Sequence, residues 1–381
     1  MHLLAFAREA GGAAAIAPVL KELLSESEKH VVVLAQDPAR SVFGRLEIPT
    51  VDFPAFDPSV VEELSRKRFG TRQPDVLLTS AASLAALDMT ERLLWQWAAQ
   101  ARVPSIAVLD QWQNYELRFS GPEPGERLRY QPDWIAVMDE HAREGLLAEG
   151  VPPESIVVTG QPAFDPLLLL RRNYREEDRV TLRRALDIPS GRPLLCFVSE
   201  AFADHFGESL GFTEHSVLRE MILICQTLAK QTGRGIHLAV KLHPQNDLKE
   251  FRWLQNLTLP PHLRITLHAQ ERPATDWVMA SDVVIGMSSI LLVESILLGK
   301  PTVSFQPGAR REEGLIATVL GAIPLLKTRE ACRATLQALL EEDLFRAAYL
   351  RCQQKISTDG GAAKRVRELL HRAAAPKGVS I

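Results

Sequence analysis

The run VVIGMSSILLVESILLGKPTVSF, residues 283–305, decides the fold. Val283 to Gly286 is short, apolar and β-branched with no polar alternation, the pattern of a strand buried on both faces. Ser288 and Ser289 then precede Ile290 to Leu298, an apolar stretch read as a helix, with the two hydroxyls as its N-cap and first turn. After Gly299-Lys300-Pro301 the chain resumes a strand at Thr302 to Phe305. A strand, a helix and a strand in such close succession make a parallel crossover unit, and parallel sheets are covered by helices on both faces.

The same alternation extends in both directions. Toward the C-terminal half it includes strands at 193–199, 236–242 and 264–267. In the first half the candidate strands are 3–7, 31–35, 75–79, 105–109, 134–138 and 156–159, with helices at 14–24, 81–101 and 141–149. Between the two series lie Gly160-Gln161-Pro162-Ala163-Phe164-Asp165-Pro166 and the highly charged 171–184, which together suggest a hinge and crossover. The reading is α/β with two Rossmann-like domains, 1–165 and 166–355, and 356–381 as a C-terminal helix packing across them. Residues 328–373 read as three helices without strands. Open α/β sheets bind ligands beyond the carboxyl ends of their strands, so function is expected at those loops, in the cleft between domains.

Composition narrows the chemistry. The 381 residues are 46% hydrophobic and 24% charged, with a net charge of -3, so no global field holds the chain on nucleic acid. No apolar run reaches the ~20 residues needed to span a bilayer, and Glu294 interrupts 290–298. The N-terminus lacks a basic region ahead of an apolar core, which reads as cytoplasmic, with peripheral contact at the inner membrane face allowed. Cys196, Cys225, Cys332 and Cys352 are far apart with no CxxC pair, which argues against disulfides and zinc. Gly299-Lys300 is followed by Pro301, so there is no Walker loop; GxGxxG, GxSxG, HxxxH and Asp-x-Asp are also missing. No cofactor and no metal are expected.

What remains is Lys241-Leu242-His243-Pro244 with Gly286-Met287-Ser288-Ser289. Proline after the strand 236–242 fixes the backbone that carries His243 and can open the next helix. Two hydroxyls, backbone N–H groups and a helix dipole then make an anion site suited to phosphate. Glu294, five residues past Ser289 on an apolar helix, needs a hydrogen-bonding partner, and a ribose diol would serve. Taken singly, His243 could be a turn residue and Ser288-Ser289 a simple cap. Together they read as a nucleotide-phosphate site, with Ser199 and Glu200, at the end of the second domain's first strand, counted among its residues.

These motifs resemble those of GT-B glycosyltransferases. His243-Pro244 and Ser288-Ser289 are similar to the motifs of bacterial sialyltransferases, Kdo-transferases and CDP-glycerol-dependent polymerases, in which His-Pro binds the CMP portion and Ser-Ser its phosphate. Residues 156–165 also resemble the domain junction of the non-hydrolysing UDP-GlcNAc 2-epimerases, and Glu294 with Gly299-Lys300-Pro301 resembles their ribose-binding helix. Where that family has Gly-Gly before the helix this chain has Ser288-Ser289, and its N-terminal Gly-Thr-Arg-Pro-Glu is replaced by Ala7 to Gly12. These resemblances imply a metal-independent GT-B glycosyltransferase, with a CMP-linked acidic sugar as favoured donor and a glycan, lipid-linked or protein acceptor. A UDP-GlcNAc 2-epimerase and a non-catalytic nucleotide-sugar-binding subunit are the alternatives.

The expected general base is a carboxylate of the first domain, Glu9 ahead of Asp110. Gly11 and Gly12 would let a sugar or phosphate approach the backbone, and the loop Gln111-Trp112-Gln113 after Asp110 is of a kind that contacts sugars. Arg310 would offset diphosphate or carboxylate charge, with Arg311 as a solvent-exposed neighbour. Trp95 and Trp97 read as packing residues.

Overall fold

The computed structural model describes residues 1–26, 30–71, 73–207, 209–233, 235–310 and 314–375. Among the described residues, thirteen strands form two sheets. The first holds β1 (Leu3–Ala7), β2 (Val31–Ala35), β3 (Val51–Asp52), β4 (Val76–Thr79), β5 (Ser105–Val108), β6 (Trp134–Val137) and β7 (Ile156–Val158). The second holds β8 (Leu194–Val198), β9 (Ile236–Lys241), β10 (Leu263–His268), β11 (Val283–Gly286), β12 (Thr302–Phe305) and β13 (Leu325–Leu326). The orders are β3-β2-β1-β4-β5-β6-β7 and β10-β9-β8-β11-β12-β13, with every pairing parallel. Both are doubly wound, as the 283–305 run predicts. The strands β3 and β13, two residues each, carry too little pattern to be read from sequence.

The chain forms two compact units, one comprising 1–166 with the chain from Thr358 onward, the other Leu167–Ser357. In the first, β1 is wholly buried, and its alternate residues serve opposite faces, as a strand's period of two requires. Leu3, Ala5 and Ala7 pack with Ile16 and Leu20 of the helix Ala10–Glu26 and with Val366 and Leu370 of the helix Ala362–Ala374. Leu4 and Phe6 face Phe53, Trp95 and Phe119. The C-terminal helix is tied on at its start, where Asp165 accepts from the Ala363 N–H at 2.8 Å, a carboxylate at a helix N-terminus.

Three local expectations are corrected. The helix expected over 81–101 begins only at Thr90. Buried Glu91 accepts from the Ser80 hydroxyl and the Ala82 N–H, which holds 80–82 out of the helix, while Asp88 caps the true start through the Thr90 N–H at 2.9 Å. The charged 171–184 is not a hinge of irregular chain. It is helical, in Asp165–Asn173 and Glu176–Ala185. The second of these carries Glu176, Glu177 and Asp178 in its first turn and Arg183 and Arg184 in its last, the charge order that complements the helix dipole. Pro244 opens no α-helix; a turn follows it and a 3-10 stretch starts at Leu248.

Trp95 is 1% exposed, and its indole N–H donates to Thr79 Oγ1 at 2.8 Å on β4. Trp95→Ala is expected to cost roughly 3–5 kcal/mol, and Trp95→Phe less, about 1–3 kcal/mol, from the unpartnered Thr79 hydroxyl. Urea unfolding of both variants measures the two terms separately.

Candidate functional site

In the second sheet the order reverses between β8 and β11, and the crevice at their carboxyl ends is where an open α/β sheet receives its ligand. Ser199-Glu200 leaves β8 there, and Met287-Ser288-Ser289 leaves β11. Glu200 is 9% exposed and joins the two. One of its carboxylate oxygens accepts from the Ser288 N–H at 2.8 Å and the other from the Ser288 hydroxyl at 3.1 Å. The Ser289 and Met287 N–H groups also favour its ionised form, yet burial outweighs them all and pushes the carboxyl up to about 7. Ser289 caps the helix Ile290–Leu297, its Oγ accepting from the Leu291 N–H at 3.2 Å. Since that oxygen is used as an acceptor, the Ser289 hydroxyl proton is the group it can offer to a ligand.

His243 stands beyond β9, next to β8. Its Nδ1 accepts from the Gln245 N–H at 3.2 Å, which puts the imidazole hydrogen on Nε2. Its backbone N–H donates to Asn246 Oδ1 at 3.0 Å. The Asn246 amide in turn donates to Glu214 Oε1 at 3.3 Å and toward the Glu200 carbonyl at 3.5 Å. Glu214 is fully buried, and its other oxygen accepts from the Ala203 N–H at 2.9 Å. The His-Pro turn and the end of β8 are therefore one hydrogen-bonded assembly, through two residues that sequence reading missed. Asn246 follows the histidine by three residues and Glu214 opens a helix, so both look like ordinary turn and cap residues.

Glu294 lies partly buried on the helix Ile290–Leu297. No hydrogen bond or ion pair reaches its carboxylate among the described residues, and desolvation alone pushes it up to about 7. Lys241 is placed differently from expectation. It is 5% exposed and its ammonium donates to the carbonyls of Leu242 and Ala269, with burial lowering its pKa. Pro244 and Arg310 are exposed. Arg310 donates its N–H to the Leu210 carbonyl at 2.8 Å, and Arg311 lies outside the described residues. Lys300 turns its amine to the Met279 carbonyl at 2.6 Å, so Gly299-Lys300-Pro301 closes the helix in a structural way.

The first unit reverses order between β1 and β4. Gly12 abuts Ser80 beyond β4, and Gly11 abuts the carboxylate of Asp110 beyond β5, each so closely that a Cβ would collide with the side chain. Asp110 Oδ1 accepts from Arg118 Nη1 at 2.7 Å. That arginine is 4% exposed and also donates to the carbonyls of Ala81 and Gln113. Asp110 is thus held against the start of the helix Ala10–Glu26 by a fixed cation. Glu9 has no such clamp: its side chain is 37% exposed and pairs with adjacent Arg8 at 3.0 Å. Gln111 and Gln113 are exposed, whereas Trp112 is committed internally, its indole donating to Asp139 at 2.8 Å and its ring stacked on Phe164. Trp97 and Trp95 are core residues.

A family model described as UDP-N-acetylglucosamine 2-epimerase matches residues 132–371, well over half of the chain. The chain belongs to the UDP-N-acetylglucosamine 2-epimerase family. Solved structures agree on the fold. The UDP-GlcNAc 2-epimerase of Neisseria meningitidis bound to UDP-GlcNAc is 19% identical, with 98% of this chain and 100% of that one covered at a TM-score of 0.66. The UDP-GlcNAc 2-epimerase of Methanocaldococcus jannaschii, in complex with UDP-GlcNAc and UDP, is 14% identical over 98% and 100%, TM-score 0.62. A glycosyltransferase from Rickettsia africae is 13% identical over 99% of each chain, TM-score 0.61. The two-sheet GT-B-like architecture is common to them, so the fold does not separate transferase from epimerase. No curated protein matches the chain by sequence.

Family membership overturns the expected glycosyltransferase with a CMP-linked donor. The Ser-Ser motif had favoured transfer over epimerisation, but here it does not report a cytidine phosphate site. Ser288 gives both its N–H and its hydroxyl to Glu200, and only Ser289 keeps a donor for a ligand.

The buried carboxyls set a pH dependence. Glu294 has a folded pKa of about 7 against an unfolded value of 4.5, so its ionisation costs stability progressively between those values and fully above the upper one. The gain in melting temperature from Glu294→Gln is therefore expected to be larger at pH 8 than at pH 5, as thermal unfolding without nucleotide would record.

Proposed function

We propose that this chain is an epimerase that binds a UDP-linked 2-acetamido sugar and inverts its carbon 2. The observation that carries the nucleotide part is Glu294: a partly buried carboxylate without a partner among the described residues, on the helix whose N-terminus Ser289 caps. Five residues at 1.5 Å each set it roughly 7.5 Å down the axis from that cap, a spacing that suits a ribose diol beyond a phosphate. The His243 Nε2–H, the Ser289 hydroxyl and the helix dipole are the donors for that phosphate. The family match favours uridine and epimerisation, and the related structures bound to UDP-GlcNAc and UDP favour the same ligand class.

Glu200 takes a positioning role. By holding the Ser288 donors it fixes the loop that presents Ser289, and through the end of β8 it lies next to Asn246 and so to the His243 turn. With its carboxyl near 7 it can neutralise itself when a phosphate approaches, which removes the like-charge penalty.

Inverting a carbon that bears hydrogen requires a proton to leave one face and another to arrive on the opposite face. No acceptor is involved, and the new hydrogen comes from a group in exchange with solvent. Of the two carboxylates considered for proton transfer, Asp110 is the better fit because the buried Arg118 and the Gly11 backbone fix its position, whereas Glu9 is only partly buried and paired with its neighbour.

The test is incubation of UDP-GlcNAc with the protein in deuterated water, followed by mass spectrometry and proton NMR of the sugar. Deuterium at C2 with appearance of the 2-epimer is expected. Binding of UDP without any exchange at C2 would leave a nucleotide-sugar-binding subunit instead. Asp110→Asn is expected to lower the exchange rate by on the order of 100-fold or more with UDP affinity within a few-fold of wild type. His243→Ala is expected to weaken UDP binding about tenfold in calorimetry, since a hydrogen bond to a charged group contributes ~1.5–3 kcal/mol.

A further inference from the structure

The second unit carries another polar concavity, at the amino-terminal edge of its sheet. Arg179, Arg183, Arg184, Arg192 and Arg346 line a cavity of about 500 Å3 together with two carboxylates, Glu176 and Asp282. Pro193, in its wall, directly precedes β8, and Asp282 directly precedes β11. The Glu200–Ser288 assembly lies past the other ends of the same two strands, and a five-residue strand at ~3.3 Å per residue separates the two places by roughly 16 Å. The cavity is not part of the site described above.

Its charges do not balance internally. Asp282 is fully engaged: Oδ1 accepts from Arg179 at 2.7 Å, and Oδ2 accepts from Arg183 at 3.2 Å and the Leu194 N–H at 2.8 Å. Glu176 pairs with Arg179 at 3.3 Å. Arg183 has further commitments to the carbonyls of Ala280 and Arg192. That leaves Arg184, Arg192 and Arg346 with no ion pair among the described residues. The Arg179 Nε is buried and also lacks a partner. Arg192 extends across Gly235, where an added Cβ would come within 2.7 Å of its Nε, so the chain leaves room for that guanidinium to lie flat. Beside them is Lys300, whose amine is pushed down to about 8, by burial first and then by Arg179.

Gathering three uncompensated guanidinium groups around one concavity costs repulsion, which a multivalent anion relieves. The guanidinium fork matches the paired oxygens of phosphate in a way an ammonium does not. The volume lies within the 300–1,000 Å3 range of small-molecule sites. We propose that this cavity binds a small anion carrying two linked phosphate groups, at a site separate from the one assigned to the nucleotide sugar. The inference does not depend on the epimerase reading, because none of its residues belongs to that site.

The test is calorimetric titration of the full chain with inorganic pyrophosphate at low ionic strength. One class of sites should weaken tenfold or more in the double variant R184Q/R346Q and persist in His243→Ala. Arg184 is exposed and Arg346 partly so, both on helices, which makes misfolding of the double variant improbable on structural grounds; R346Q alone gives the same reading with a smaller loss. The proposal fails if wild type and R184Q/R346Q give the same isotherm, if wild type takes up no pyrophosphate, or if the binding class disappears in His243→Ala and not in the arginine variants.

Discussion

The second unit depends on one buried carboxylate accepting hydrogen bonds at the start of a helix. Glu200 leaves β8 at the point where the sheet order reverses and takes up both donors of Ser288 beyond β11. Without a ligand, the N–H groups of Met287, Ser288 and Ser289, just ahead of the helix Ile290–Leu297, would stand unsatisfied beside the partial positive charge of its N-terminus. Glu200 meets that need, at the expense of desolvating its own charge, and its pKa rises accordingly. The loop that presents Ser289 is thereby rigid before anything binds. Preorganisation of this kind lets a phosphate gain interaction energy without first ordering the chain.

The first unit solves the same problem with other residues. At its switch point the backbone of Gly11 and Gly12 comes so close to Asp110 and Ser80 that no side chain fits between. Asp110 is not left as an isolated buried charge, because Arg118 pairs with it from a fixed position, held in turn by backbone carbonyls. Glu91 and Arg92, neighbours on one helix, are buried by a different logic. Each ties neighbouring chain to the helix, Glu91 through Ser80 and Ala82 and Arg92 through the carbonyls of Ala82 and Ser120 and of Leu117 in the short helix Tyr115–Phe119. Both units thus use buried ionic groups to fix the loops at the carboxyl edge of the sheet.

Much of this was legible beforehand. The apolar β-branched runs gave the positions of eleven of the thirteen strands, and only the two-residue β3 and β13 escaped. His243, Ser288, Ser289 and Glu294 stand out in the sequence as a candidate group since each follows a strand end or shares one helix. What misled was chemistry that depends on partners distant in sequence. Ser288 reads as a phosphate donor until Glu200, 88 residues away, is seen to take it. Lys241 stands in the Lys-Leu-His-Pro motif read for nucleotide phosphate, yet its ammonium is turned to backbone carbonyls. The preference for a cytidine-linked transferase rests on that serine pair with His243-Pro244 and on the changed N-terminal motif at Ala7 to Gly12, and membership of the epimerase family corrects it.

Sequence by itself determined the class of architecture, two parallel doubly wound sheets, because burial on both faces imposes a composition that local windows reveal. It also determined which strand ends carry polar groups. Tertiary structure alone decided how those groups are used: that Asp110 is clamped by Arg118 while Glu9 pairs only with adjacent Arg8, that Glu200 occupies Ser288, and that Glu294 is left without a partner among the described residues. The reason is physical. A hydrogen bond or ion pair is settled by distances of about 3 Å between residues that the chain brings together only after the crossovers are made, and a linear pattern carries no record of those distances.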